Sequence, residues 1–196
     1  MIRLLKPAQY RSMPWKNGGG QTTEIAAHPP GAALDAFAWR VSIARVDRDG
    51  PFSRFPGIDR TLVLLDGAGM RLTGDARDVT LRARFEPYSF AGEDSIECML
   101  VAGPVHDFNA MFRRGRARGD VAVVRADGAR IAPAAVRLAY AASGTHACAI
   151  AGHPNVTLAT HHSVLVERAA DADDVPMAIR PMTGDAIAIA VRIEYA

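Results

Sequence analysis

"FAWRVSIARV", residues 37–46, alternates strictly: Phe37, Trp39, Val41 and Ile43 fall on one face, and Ala38, Arg40, Ser42 and Ala44 on the other. A side-chain period of two belongs to a strand with unlike faces, not to a helix of 3.6 residues per turn. The period returns in "DVTLRARF" (78–85) and "AIAIAVRIEY" (186–195), whereas "TLVLLDG" (61–67) is apolar on both faces, as a central strand is. Turn sequences such as "DRDGP", "DGAG", "ADGA" and "AGHPN" separate these runs at a spacing of roughly 8–12 residues, which suits a β-sandwich or barrel. The fold class is all-β, and the face carrying Trp39 is the expected core face.

One phrase departs from the pattern. In "HDFNAMFRR" (106–114), Phe108, Met111 and Phe112 suit one face of a short helix. The arginine-rich "RRGRARG" (113–119) follows, and strand patterning then resumes. A boundary at 105–119 therefore divides the chain into a first β unit, 1–105, and a second, 106–196, expected to pack as one compact protein.

Composition narrows the function classes. The 196 residues carry 23 Lys+Arg and 21 Asp+Glu, a net charge of +2, and 49% are hydrophobic. The balance is even along the chain: 13 basic against 12 acidic residues before position 106, and 10 against 9 after it. Neither nucleic acid nor a membrane is indicated as a partner. Two cysteines, Cys98 and Cys148, are too few for a disulfide framework or a zinc site. The amino terminus lacks the apolar run of a signal peptide and no segment reaches about 18 apolar residues, so a cytoplasmic location is expected.

"PWKNGGGQ" (14–21) invites a phosphate-loop reading, but Lys16 precedes the glycines and no strand pattern precedes Lys16. A dinucleotide loop opens a helix, whereas these glycines lead into the β-branched "QTTEI". What remains is a permissive backbone at Gly18, Gly19 and Gly20 that can present amide N–H groups to a small anion. The plain alternative is a hairpin entry with Trp15 packed on the core.

Several phrases carry a more specific signal: "MPWKNGGGQTTEI" (13–25), "WRVSIARV" (39–46), "DGPFSRFPGIDRTLVLLDGAG" (49–69), "FAGE" (90–93) and "DFNAMFRR" (107–114). Together they closely resemble the HutD family of the histidine-utilisation operon, related to the Ves proteins, with the dense match in the first 115 residues. The resemblance implies a cupin-type (RmlC-like) jelly roll, two β units in one chain, and binding of formylglutamate or a related histidine-degradation intermediate that modulates the pathway. It implies no established enzyme. The alternative is a metal-independent hydrolase or isomerase acting on such an intermediate.

Set against the cupin metal motif with Gly67 as its glycine, the glutamate position falls on Arg60 and the two histidine positions on Ser53 and Phe55. No metal and no cofactor are expected. An arginine at a ligand position turns a cation cup into a cationic one, suited to carboxylates. The candidate ligand-binding residues are Lys16, Asn17, Gly18, Gly19, Gln21, Arg40, Ser42, Ser53 and Arg60; no catalytic residue is assigned. Arg60 has a structural alternative in pairing with Asp59 or Asp66. His161 and His162 are adjacent and would point to opposite faces of a strand, so they do not chelate one ion. Glu93 and Asp94 are read as structural. The expected partner is a small carboxylate, and a homodimer stays open as an assembly.

Overall fold

The computed structural model of the chain describes residues 1–15, 18–75, 77–168 and 176–196. The strands in chain order begin with β1 (Ile2–Leu5), β2 (Arg11–Pro14), β3 (Gly20–His28), β4 (Trp39–Val46) and β5 (Gly50–Pro51). They continue with β6 (Ile58–Asp66), β7 (Met70–Gly74), β8 (Arg77–Leu81), β9 (Pro87–Ala91) and β10 (Glu97–Leu100). Next come β11 (Val105–Arg113), β12 (Ala117–Val124), β13 (Ala129–Ile131), β14 (Val136–Ser143) and β15 (His146–Ile150). The last are β16 (Val156–Leu158), β17 (Ser163–Glu167), β18 (Met177–Pro181) and β19 (Ile187–Tyr195). The only helix among the described residues is one 3-10 turn, Pro7–Gln9.

Contacts divide the chain into two compact units, residues 10–118 and residues 1–9 with 119–196. In the first, a six-stranded sheet in the order β2-β3-β4-β11-β6-β9 packs against a four-stranded sheet, β5-β10-β7-β8. Val46, Leu62 and Leu64 of the larger sheet meet Met70, Leu72 and Cys98 of the smaller in one core. The second unit repeats the plan, with β1-β17-β14-β19-β12 against β13-β18-β15-β16. Ala139, Ala141, Val164 and Ala188 there pack on Cys148, Ile150, Met177 and Ile179. Each cysteine sits in its own core, and burial pushes both thiols up to about 12.

Four expectations are corrected. "HDFNAMFRR" is no helix: Val105–Arg113 is the strand β11, paired antiparallel with β4 and β6 on its two sides. Phe108, Met111 and Phe112 satisfy a helical spacing, but the same run alternates with period two, and a sheet missing its centre imposes the strand. The phrase thus belongs to the first unit, while Met1–Gln9, placed with the first by sequence order, lies in the second, where β1 pairs with β17. "DVTLRARF" is a strand only to Leu81, and Phe85 takes a left-handed φ of 63° in the turn that follows. His161 and His162 occupy a turn before β17; Tyr140 Oη lies 2.8 Å from His161 Nδ1.

The core assignment on β4 is half of the picture. Phe37, Trp39 and Val41 are buried, yet so are Arg40, Ser42, Ala44 and Val46, and it is this second set that faces the interior between the two sheets of the first unit. Arg40 and Ser42, named from sequence as ligand-binding candidates, line a cavity there.

Candidate functional site

Antiparallel register stacks side chains of like parity into rows across the six-stranded sheet. Met111 on β11 is opposite Arg40 on β4 and Arg60 on β6. Two residues along, Asn109 is opposite Ser42 and Leu62, and two further on Asp107 is opposite Ala44 and Leu64. Neighbouring strands are about 4.8 Å apart, so the two arginine backbones are about 10 Å apart across Met111. The interior wall therefore runs from a cationic row through a neutral polar row to an anionic one.

This wall bounds a cavity of ≈ 600 Å³, the size range of small-metabolite sites. Trp15, Thr22, Phe52, Ser53, Phe55 and Leu34 close its other sides. Aromatic rings fix Arg60: its guanidinium carbon lies 4.7 Å from the ring centre of Phe90, 5.5 Å from Phe55 and 5.6 Å from Phe52. Its Nη1 donates to the Ser53 carbonyl at 3.3 Å. Burial lowers the Arg60 pKa to about 10; Asp107 acts in the opposite sense, and Arg40 adds to the lowering. At neutral pH it is still a cation. Arg40 donates from Nε to Glu24 Oε2 at 2.7 Å, a pair nearly closed to solvent. Burial pushes the Asp107 carboxyl up to about 7, against the pull of Arg60.

Four buried polar atoms of this wall have no hydrogen-bond partner: Arg40 Nη2, Arg60 Nε, Asp107 Oδ1 and Asn109 Oδ1. Buried polar groups are almost always paired, so four unpaired atoms on residues that line one cavity mark it as a candidate binding site. Two cationic groups donate to a carboxylate, and two acceptor oxygens take N–H groups.

Of the residues named from sequence, Arg40, Ser42, Ser53 and Arg60 all line the cavity. The structural alternative for Arg60 does not hold, because Asp59 pairs with Arg114 at 2.5 Å and Asp66 lies near His106. Lys16 and Asn17 lie outside the described residues. Gly18, Gly19 and Gln21 do not line the cavity. They belong to a hairpin in which Pro14 is opposite Gln21, Trp15 N donates to Gly20 O at 2.9 Å and Gly18 N donates to Trp15 O at 3.0 Å. Gly18 O accepts from Arg48 Nη2 and Gly19 O from Asp47 N. Gln21 is exposed, and its neighbour Thr22, of opposite parity, takes the cavity side and accepts from Trp15 Nε1 at 2.8 Å. The turn places Gly18 at a left-handed φ of 66°, and close packing demands glycine at Gly20, where a Cβ would stand 2.2 Å from the Arg45 carbonyl oxygen.

Sequence reading missed Asp107, Asn109, Met111, Glu24 and the phenylalanines around Arg60. The signal for the first three was the alternation within 107–112, hidden by the helical reading. Two of the "RRGRARG" arginines are structural: Arg113 donates to the carbonyls of Phe37 and Asp35, and Arg114 pairs with Asp59 and Glu93. Asp94 pairs with Arg77 at 2.6 Å.

Among the described residues no three His, Cys, Asp or Glu side chains are grouped to hold a metal ion. The cavity wall does not suit one either: it brings Arg40 and Arg60 together, and guanidinium groups repel a cation. No helix among the described residues is long and apolar enough to cross a membrane.

Comparison with known proteins agrees with this architecture. An uncharacterized 21.2 kDa protein of the hutC 3' region of Pseudomonas putida is 42% identical over 119 residues, 60% of this chain and 62% of that protein. The chain thus matches about three-fifths of the length of that curated relative, and proteins named Ves, including one from Citrobacter koseri, match to a similar extent. A conserved protein of unknown function from Pseudomonas aeruginosa PAO1 superposes with a TM-score of 0.88 at 33% identity, covering 99% of both chains. HutD from Pseudomonas fluorescens SBW25 gives 0.84 at 28% identity over 100% of both chains. More distant solved structures, at 9–10% identity, are cupin-like and share the fold alone. The family pattern of HutD spans residues 7–181, and the chain belongs to the HutD family.

Proposed function

We propose that the chain is a metal-free bicupin, each sandwich a jelly roll, whose first unit binds a small carboxylate metabolite and thereby modulates histidine utilisation. The metabolite is formylglutamate or a related intermediate of histidine degradation. One observation carries the reading: Arg40 and Arg60 enter the same cavity from one row of the sheet, each with a buried N–H unspent. Guanidinium pairs with carboxylate with directional, charge-assisted bonds, and the aromatic cage of Arg60 holds its fork ready before a ligand arrives. The choice of metabolite comes from the family, whose hut association supplies the pathway.

The test is a thermal-shift and calorimetric panel of formylglutamate, formiminoglutamate and urocanate on the purified full chain. A ligand of the folded state raises Tm with concentration by mass action. Formylglutamate is expected to give a saturable rise and one site per chain; no shift with any of the three ends this reading.

A second reading, a metal-independent enzyme on the same intermediates, is favoured by Asp107, a buried carboxyl whose pKa is pushed up to about 7, the range of a general base. Turnover of any of the three above background, lost in an Asp107 variant, would replace the binding-only reading.

A further inference from the structure

A carboxylate answers only half of the vacancies in the cavity. It accepts from Arg40 Nη2 and Arg60 Nε, but Asp107 Oδ1 and Asn109 Oδ1 are acceptors themselves and would face it unpaired. The two sets do not satisfy each other. Were Asp107 only a structural counter-ion of Arg60, its Oδ1 would be joined to the free Nε of that arginine; instead Arg60 turns Nη1 to the Ser53 carbonyl and leaves Nε open. Likewise Arg40 is held by Glu24 and leaves Nη2 open.

The positions of the vacancies are ordered. The donors lie in the row of Met111, and the acceptors lie one and two steps along β11 on the same interior face. Each step is about 6.5–7 Å of strand. A ligand that engages both sets carries acceptor oxygens and a donor group together.

We infer that Asp107 and Asn109 form an N–H-reading edge of the cavity, selecting ligands that carry an amide or amidine N–H beside a carboxylate over carboxylates that lack one. The inference rests on the carboxylate-binding reading above and adds the residues that decide among carboxylates. Simple dicarboxylates and esters would enter the cationic row and be rejected at the second edge, because each leaves buried acceptors without a donor. The same logic excludes Ser42 as the discriminating group, since a hydroxyl both donates and accepts and tolerates either ligand.

The experiment compares N-formyl-L-glutamate with 2-formyloxyglutarate, the ester in which oxygen replaces the N–H at nearly unchanged shape. Both are titrated calorimetrically into the full chain at pH 8. The wild type is expected to bind the amide at least about tenfold more tightly, the worth of one charge-assisted hydrogen bond. In Asp107→Leu and Asn109→Leu the ratio should shrink toward one, whereas Arg60→Met should weaken both ligands together. The wild-type comparison alone decides if a variant misfolds. Equal binding of amide and ester, within about threefold, overturns the inference and leaves the carboxylate reading standing. Binding of neither ligand to folded protein overturns both.

Discussion

Arg40 and Arg60 stand in one row of the six-stranded sheet, each in register with Met111 on the strand between them. They are alike in burial and unlike in support. Arg40 is tied to Glu24, whereas Arg60 is caged by three phenylalanines and leans on a backbone carbonyl. Removing them should therefore have different consequences for stability. Arg40→Met strands the largely buried Glu24 carboxylate and is expected to cost about 3–5 kcal/mol. Adding Glu24→Gln should recover much of that loss. Arg60→Met removes a buried charge whose partner Asp107 can take a proton, so it should be near neutral or stabilising. Urea unfolding of the three variants checks this, and equal destabilisation by the two arginine substitutions would contradict it.

Trp39 makes the adjoining prediction. Its side chain is 1% exposed and stacks on His28 at 6.2 Å. Trp39→Ala should lower the unfolding free energy by about 3–5 kcal/mol, the range for a large buried aromatic. An unmoved denaturant midpoint would place the residue at the surface.

How far the sequence discloses this site depends on the strand. On β4 the period of two separated Arg40 and Ser42 from Trp39 and Val41 without ambiguity, and both sets share faces in the structure as read. On β11 the same period was present, but Phe108, Met111 and Phe112 also satisfy a helix, and a run of nine residues does not choose between them. Only pairing with β4 and β6, separated from it by tens of residues, makes the choice. Asp107 and Asn109 were hidden with it. The glycine run is ambiguous for a different reason: glycine marks close backbone approach as readily as ligand approach, and at Gly20 the neighbour is the Arg45 carbonyl.

Gly20 gives a direct check of that distinction. A methyl group there would meet the Arg45 carbonyl oxygen at 2.2 Å and the Trp15 ring at 3.2 Å, and the nearer obstacle is backbone with little room to yield. Gly20→Ala should destabilise by about 1–3 kcal/mol. Wild-type stability in this variant would show that the hairpin does not need the glycine for packing.

Asp107 links the cavity to pH. Its carboxyl is held near 7 by burial, above the 3.8 of the free group, so the folded chain binds more protons than the unfolded chain between those values. Its contribution to stability is present in full below about 4 and is lost as pH rises through about 7. Asp107→Leu, which cannot ionise, should flatten this part of the profile. Parallel profiles for the two proteins between pH 5 and 8 would remove Asp107 as the titrating group.

The central claim, that Arg60 receives a carboxylate in the cavity of the first unit, is tested most directly by calorimetric titration of N-formyl-L-glutamate into wild type and Arg60→Met. Methionine keeps most of the arginine's volume and removes its charged donors. Loss of the charge-assisted pair should weaken binding by about 1.5–3 kcal/mol, roughly ten- to a hundredfold, in a variant that unfolds like the wild type. Equal affinity in the two folded proteins would contradict the account.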